Sequence, residues 1–183
     1  MLFLQRVWQN IFKFYMKKIL YSFIVFFTTS LLIGCFAYSF TGGNTGNAKT
    51  IQVSSFRNVA PLIEPSLGQF FTQELQDLFL RQTNLSLVTT DGDLAFEGEI
   101  TGYRISPMSA TAQQTAAQNR LTITIKVRYT NKLVEKDNFE KAFSFFYDFP
   151  ANGVLTGSLR DTAFKEITDR ITQDIFNASV AKW

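Results

Sequence analysis

The 183-residue sequence holds one cysteine, Cys35, and no histidine. A cysteine can serve as nucleophile, metal ligand, attachment point or small buried filler. Without histidine the usual general base is missing, which excludes Ser-His and Cys-His arrangements. A single cysteine makes no intrachain disulfide and no Cys/His metal cluster. A metal would need oxygen ligands, and "DGD" at 91–93 is too short for a calcium loop; it reads as a turn before a strand. Glu97 and Glu99 share the exposed side of one strand, and there is no G-x-S-x-G. The chain is expected to be neither an enzyme nor a cofactor carrier.

The surroundings of Cys35 are more informative. Lys17-Lys18 precedes an apolar run of 15 residues, "ILYSFIVFFTTSLLI", and then come Gly34 and Cys35. A basic segment followed by an apolar stretch of that length is the pattern of a signal peptide. Leu32, Ile33, Gly34 and Cys35 resemble the bacterial lipobox. The resemblance implies diacylglycerol on the Cys35 sulfur, cleavage after Gly34 and acylation of the new amine. Met16 opens an ordinary signal peptide, "MKKILYSF", and is the expected start. The competing reading is a retained transmembrane helix, since the 22 residues from Ile19 to Phe40 carry no charge. Thr28, Thr29 and Ser30 interrupt that run, and the position of Gly-Cys favours the lipoprotein. Phe36 is not aspartate, so the known inner-membrane retention signal is absent. No acidic cluster follows it, which points to the periplasmic face of an outer membrane.

Charge separates the same way. Arg6, Lys13, Lys17 and Lys18 precede Gly34 with no acidic residue, whereas 14 basic and 15 acidic residues follow from Cys35 onward. A body with a net charge of −1 has no concentrated basic face and no electrostatic reason to bind nucleic acid.

Three segments result: a signal peptide over 1–34, a lipidated flexible tether over 35–48 and a single domain over 49–183. Gly, Asn and Thr at 41–47 make the tether. In the domain, "TIQVSSF" alternates as a short strand, and "RNVAPLIEP" breaks it. Leu67, Phe70, Phe71, Leu75, Leu78 and Phe79 make a helical stripe. Ser66 and Gln69 have capping-box spacing before it. A strand over 94–104 follows, with Gly98 and Gly102 on its apolar face as room for a close-packed helix or as a bulge. Alternation is clearest in "RLTITIKVRYT" and continues through Phe139, Phe143, Phe145, Tyr147 and Phe149. Ser158 and Asp161 again have capping-box spacing ahead of a closing helix, 159–180. The order β-α-β-β-β-α predicts an α+β two-layer sandwich, a four-stranded mostly antiparallel sheet with two helices on one face. In this topology the tether and the hairpin 131–138 share the base of the domain, and the loop 105–119 lies at the far end.

These segments resemble the LptE family of lipopolysaccharide-assembly lipoproteins in its Bacteroidetes-like form. "GCFAYSFTGGN" at 34–44, "KTIQVSSFRNVA", "LAFEGEITGYRISPMSA" and "NRLTITIKVRYTN" carry the likeness, with Phe36 where the family has glycine. The resemblance implies a non-enzymatic protein that plugs an LptD-like outer-membrane β-barrel. It implies that the protein assists barrel assembly and helps pass lipopolysaccharide to the cell surface, and that lipopolysaccharide is itself a ligand. A polar sheet face suits a polar barrel interior.

Arg104 and Arg120 flank the far loop and are candidates for a phosphorylated lipid or a barrel loop, because guanidinium binds phosphate bidentately. The bland alternative is solvated strand ends. Lys126 and Arg128 belong to the same candidate set, but cross-strand pairing with Glu97 and Glu99 accounts for them more simply. Lys132 and Lys136 lie nearest the anchor, where anionic head groups would be met. A second functional class fits the same layout: a periplasm-facing lipoprotein that regulates a cell-wall synthase.

Overall fold

A long antiparallel hairpin organises the computed structural model, which describes Met16, Lys18 and residues 43–62, 64–108 and 117–181. The chain divides into two units, Met1–Phe40 and Thr41–Trp183. The second holds every strand and helix discussed below. Its strands are β1 (Thr50–Val53), β2 (Arg57–Asn58), β3 (Ser86–Val88), β4 (Leu94–Met108), β5 (Gln118–Asn131) and β6 (Phe139–Pro150). Its helices are α1 (Leu67–Gln82) and α2 (Gly157–Ser179). The fold class is α+β, as the sequence pattern predicts, but the sheet has six strands instead of four.

The sheet order is β3-β1-β4-β5-β6, with β2 pairing β4 beyond the end of β1. The β1–β3, β1–β4 and β2–β4 pairs are parallel; β4–β5 and β5–β6 are antiparallel. The two extra strands are two and three residues long. Such stretches are too short for a two-residue period to show. They are strands because a neighbour offers its ladder, which only the folded chain supplies.

Phe56 explains why β1 and β2 are separate. Its side chain is buried, and its N–H leaves the ladder to donate to Thr72 Oγ1 on α1 at 3.0 Å. The Phe56 ring lies on Gly98 and meets Phe71 edge-on, with centroids 4.9 Å apart. A Cβ at Gly98 would come within 2.5 Å of Phe56 Cε1 and would also collide with the Lys126 carbonyl. Gly98 thus leaves room for close packing, but for the Phe56 ring between β1 and β2 and not for a helix.

Gly102 is not on the apolar face. The β4–β5 register slips between Ile100 and Gly102, so Thr101 is the extra residue of a bulge. Past the bulge Tyr103 turns inward and Arg104 outward. The expected end of β4 at 104 was also short, since pairing runs to Met108 opposite Gln118.

Both helices cover the same side of the sheet. α1 buries Leu67, Phe71, Leu75, Leu78 and Phe79, and α2 buries Phe164, Ile167, Ile171, Ile175 and Phe176. Phe79 joins the layers, with ring centroids 5.1 Å from Phe176 and 4.8 Å from Phe96. Neither predicted capping box forms. Ser66 Oγ bonds Glu64 Oε1 at 2.9 Å instead of a helix N–H. α2 starts one residue before Ser158, at Gly157 with a positive φ of 54°, and Asp161 accepts from Arg160. Local hydroxyl partners and a left-handed glycine entry replace the boxes.

At the base, Asp93 ties β1 to β4. Its Oδ2 accepts from the N–H groups of Lys49 (2.8 Å) and Thr50 (3.0 Å), which hold its carboxyl below the ordinary range. Residues 43–48 are seated here as well: Asn44 N–H donates to the Val180 carbonyl at 2.8 Å, and Ala48 is buried.

Candidate binding surface

Alternation puts every second residue of β4, β5 and β6 on the side away from the helices. That side carries Glu97, Glu99 and Arg104 on β4, Arg120, Lys126 and Arg128 on β5, and Glu140 and Asp148 on β6. The four cations predicted as contacts therefore share one face, because the Thr101 bulge shifts the phase of β4 by one residue and brings Arg104 to the side of Arg120, Lys126 and Arg128. Cys35, with Leu32, Ile33 and Gly34, lies outside the described residues, as do residues 109–116 of the far loop.

Two clusters divide the surface. Nearer the base, Lys126 and Arg128 both engage Glu140 on β6, Arg128 Nε at 3.0 Å from Oε2. Their hydrogen bonds hold the Glu140 carboxyl below its usual range. Glu97 and Glu99 face Arg128 and Lys126 across the β4–β5 ladder, but Glu99 pairs with Arg57 at 2.9 Å. The expected pairing with Glu97 and Glu99 is therefore corrected. The two cations have a carboxylate on either side, and they pair with the one on β6. A shallow groove of about 450 Å³ runs over this cluster, lined by Ser54, Ser55 and the charged residues just named.

Nearer the far end, Arg120 is clamped. Its Nε and Nη2 donate to Asp148 Oδ1 and Oδ2 at 2.7 and 2.8 Å. Its guanidinium carbon lies 3.6 Å from the centroid of the Phe146 ring, a cation–π contact on an exposed aromatic. Asp148 is held below the ordinary carboxylate range by these hydrogen bonds, and Arg120 is raised by them. Arg104, opposite Thr122, is exposed and has no ion pair among the described residues.

Glu140, Asp148, Phe146 and Arg57 were not singled out in the sequence. The first three were accessible to it: they occupy the alternate phase of the strand whose buried set is Phe139, Phe143, Phe145, Tyr147 and Phe149. Arg57 was not, since its two-residue strand has no periodic signature. The surface is charge-paired almost throughout. It can present a hydrated, rigid, nearly neutral polar face, with Arg104 as the cation least committed to the protein itself.

The sequence matches the model of a protein family, LptE: Lipopolysaccharide-assembly, over residues 48–179. The chain belongs to the LptE family. The match spans every strand and helix named above. The family is one of non-enzymatic lipoproteins, and membership assigns this chain a role in lipopolysaccharide assembly.

Comparison with solved structures returns lipoproteins at low identity. Uncharacterized lipoprotein B from Nitrosomonas europaea is 11% identical, covering 77% of this chain and 87% of its own, at TM-score 0.47. The minor lipoprotein from Acinetobacter baumannii is 10% identical over 74% and 96%, at TM-score 0.42. Rare lipoprotein B from Shewanella oneidensis is 12% identical over 68% and 92%, at TM-score 0.38. No curated protein matches the sequence.

Proposed function

We propose that this LptE-family chain is an outer-membrane lipoprotein, anchored through lipid on Cys35, that plugs an LptD-like β-barrel, assists its assembly and helps deliver lipopolysaccharide to the cell surface. Leu32, Ile33 and Gly34 serve as the lipobox, residues 1–34 as the signal peptide, and the tether from Cys35 leads to the folded domain. The anchor keeps the domain on the periplasmic side of the outer membrane until it enters the barrel lumen.

The observation that carries the reading is a sheet face left uncovered among the described residues, in a chain whose family membership is established. Both helices pack on one side, and the other side presents Glu97, Glu99, Arg104, Arg120, Lys126, Arg128, Glu140 and Asp148. Unpaired charges are costly to desolvate, whereas charges neutralised within the face cost less to bring against another polar wall. The interior of an outer-membrane barrel is polar. Arg104 is the first contact proposed for a lipopolysaccharide phosphate or an acidic barrel loop. Arg120, Lys126 and Arg128 contact it while retaining their own carboxylates.

The test is isolation of the full protein from its own membranes in mild detergent. Mass spectrometry then identifies its partners and weighs its N-terminal peptide. A large outer-membrane barrel and an acylated Cys35 are expected. Recovery of a cell-wall synthase with no barrel would reject the plug in favour of the regulatory module. An unmodified cysteine would reject the anchor.

A further inference from the structure

The β5–β6 connection at the base of the domain presents an apolar tip. Leu133 is 50% exposed and Val134 37%. The tip is held by its own backbone. Asn131 Oδ1 accepts from the N–H groups of Leu133 (2.9 Å) and Val134 (3.0 Å), and Asn138 Oδ1 accepts from Asn131 N–H at 2.6 Å. A short 3₁₀ turn, Glu135–Asp137, closes the connection, with Asp137 N–H on the Val134 carbonyl at 3.0 Å. Beside it, Lys132 Nζ reaches Asp91 Oδ1 at 2.6 Å and Lys132 N–H reaches the Asp93 carbonyl at 3.0 Å. The turn therefore holds two adjacent branched apolar side chains part-exposed to water, and covering them would be favourable.

Asn44–Asn47, Leu133, Val134 and Val180 line one groove of about 320 Å³, so the chain entering from the tether and the apolar tip share one end. Gly43 is eight residues after Cys35, a separation the extended chain spans with at most about 29 Å. A lipid on Cys35 would hold this end within that reach of a leaflet.

We infer that Leu133 and Val134 form a second membrane contact, inserting into the interfacial zone of the leaflet that holds the Cys35 lipid while the protein is outside its barrel. The inference rests on the reading of Cys35 as lipidated. Several acyl chains on Cys35 already retain the protein, so a second contact serves to orient the domain on the leaflet. Lys132 and Lys136 are balanced by Asp91, Glu135 and Asp137 nearby, so the contact is apolar and does not require anionic lipid.

Acylation consumes the native thiol, which makes an introduced cysteine unique. Full-length lipidated Leu133→Cys, Val134→Cys and Ser144→Cys proteins are labelled with bimane. Each is reconstituted into vesicles of phosphatidylethanolamine and phosphatidylglycerol, with and without doxyl-labelled lipid. Position 144 lies mid-strand on the uncovered sheet face. The expected result is several-fold stronger quenching at 133 or 134 than at 144, unchanged when phosphatidylglycerol is left out. Equal quenching at all three positions on a protein whose N-terminal mass shows acylation overturns the contact, leaves the anchor standing and reassigns the tip to a protein partner. Quenching lost with phosphatidylglycerol overturns the apolar mode. Missing acyl mass overturns the anchor reading itself.

Discussion

Arg120 and Asp148 face each other across β5 and β6 and close two hydrogen bonds, at 2.7 and 2.8 Å, while the guanidinium rests on Phe146. Three side chains from two strands thus lock the far end of the uncovered face. Each is placed by strand alternation, and the pairing is placed by register.

The Asp148 carboxyl is lowered, first by the Arg120 hydrogen bonds, with burial opposing. A carboxyl lowered by folding contributes stability above its ordinary value, 3.8, and loses it as pH falls through the folded value. Asp148→Asn is therefore expected to be less stable at neutral pH and to lose less on acidification. Urea midpoints compared at about pH 7 and about pH 3 check this. Glu140 and Asp93 are lowered in the same sense, so acid sensitivity is reduced and not abolished. An unchanged acid slope would show that the pair contributes nothing to folding.

Gly98→Ala should destabilise the domain by roughly 3 kcal/mol, the upper range for forced overpacking. The added methyl meets the Phe56 ring and the Lys126 carbonyl, and the carbonyl belongs to the β5 strand backbone. Gly102→Ala is the matched control. There the nearest atoms are Thr124 Cβ and Oγ1 at 3.0 and 3.1 Å, so the two strands need to part by only a few tenths of an ångström. Its expected cost is below about 1 kcal/mol. Equal losses in chemical denaturation would refute the close-packing role of Gly98.

Arg104→Glu is expected to weaken lipopolysaccharide binding about five- to tenfold, the worth of one charge-assisted contact, with the melting temperature nearly unchanged. Titration of the full-length protein with lipopolysaccharide at two salt concentrations reads it, and the difference should shrink at the higher one. Arg120→Glu is a poor substitute, because it sets a carboxylate against Asp148 and confuses folding with binding. Unaltered affinity in Arg104→Glu would remove Arg104 from the contact set.

Much of the fold was legible because burial on one side imposes a period. Leu121, Ile123, Ile125, Val127 and Tyr129 could only be a one-sided strand, and the α1 and α2 stripes could only be amphipathic helices. The same period sets Lys126 and Arg128 on the polar face. By itself the sequence also determined that histidine chemistry, intrachain disulfides and thiol-imidazole metal sites have no residues to form them, since those depend on inventory alone.

Tertiary structure decided what depends on the neighbouring strand. β2 and β3 exist because β4 and β1 offer them partners. The Thr101 bulge turns Gly102 off the apolar face and Arg104 outward. Lys126 and Arg128 settle on Glu140, and Arg120 on Asp148, although Glu97 and Glu99 have equal charge and lie directly opposite the first two. Alternation tells which face a side chain takes. Which of two flanking strands it leans toward is settled by local twist and competing partners, information that one strand's sequence does not contain.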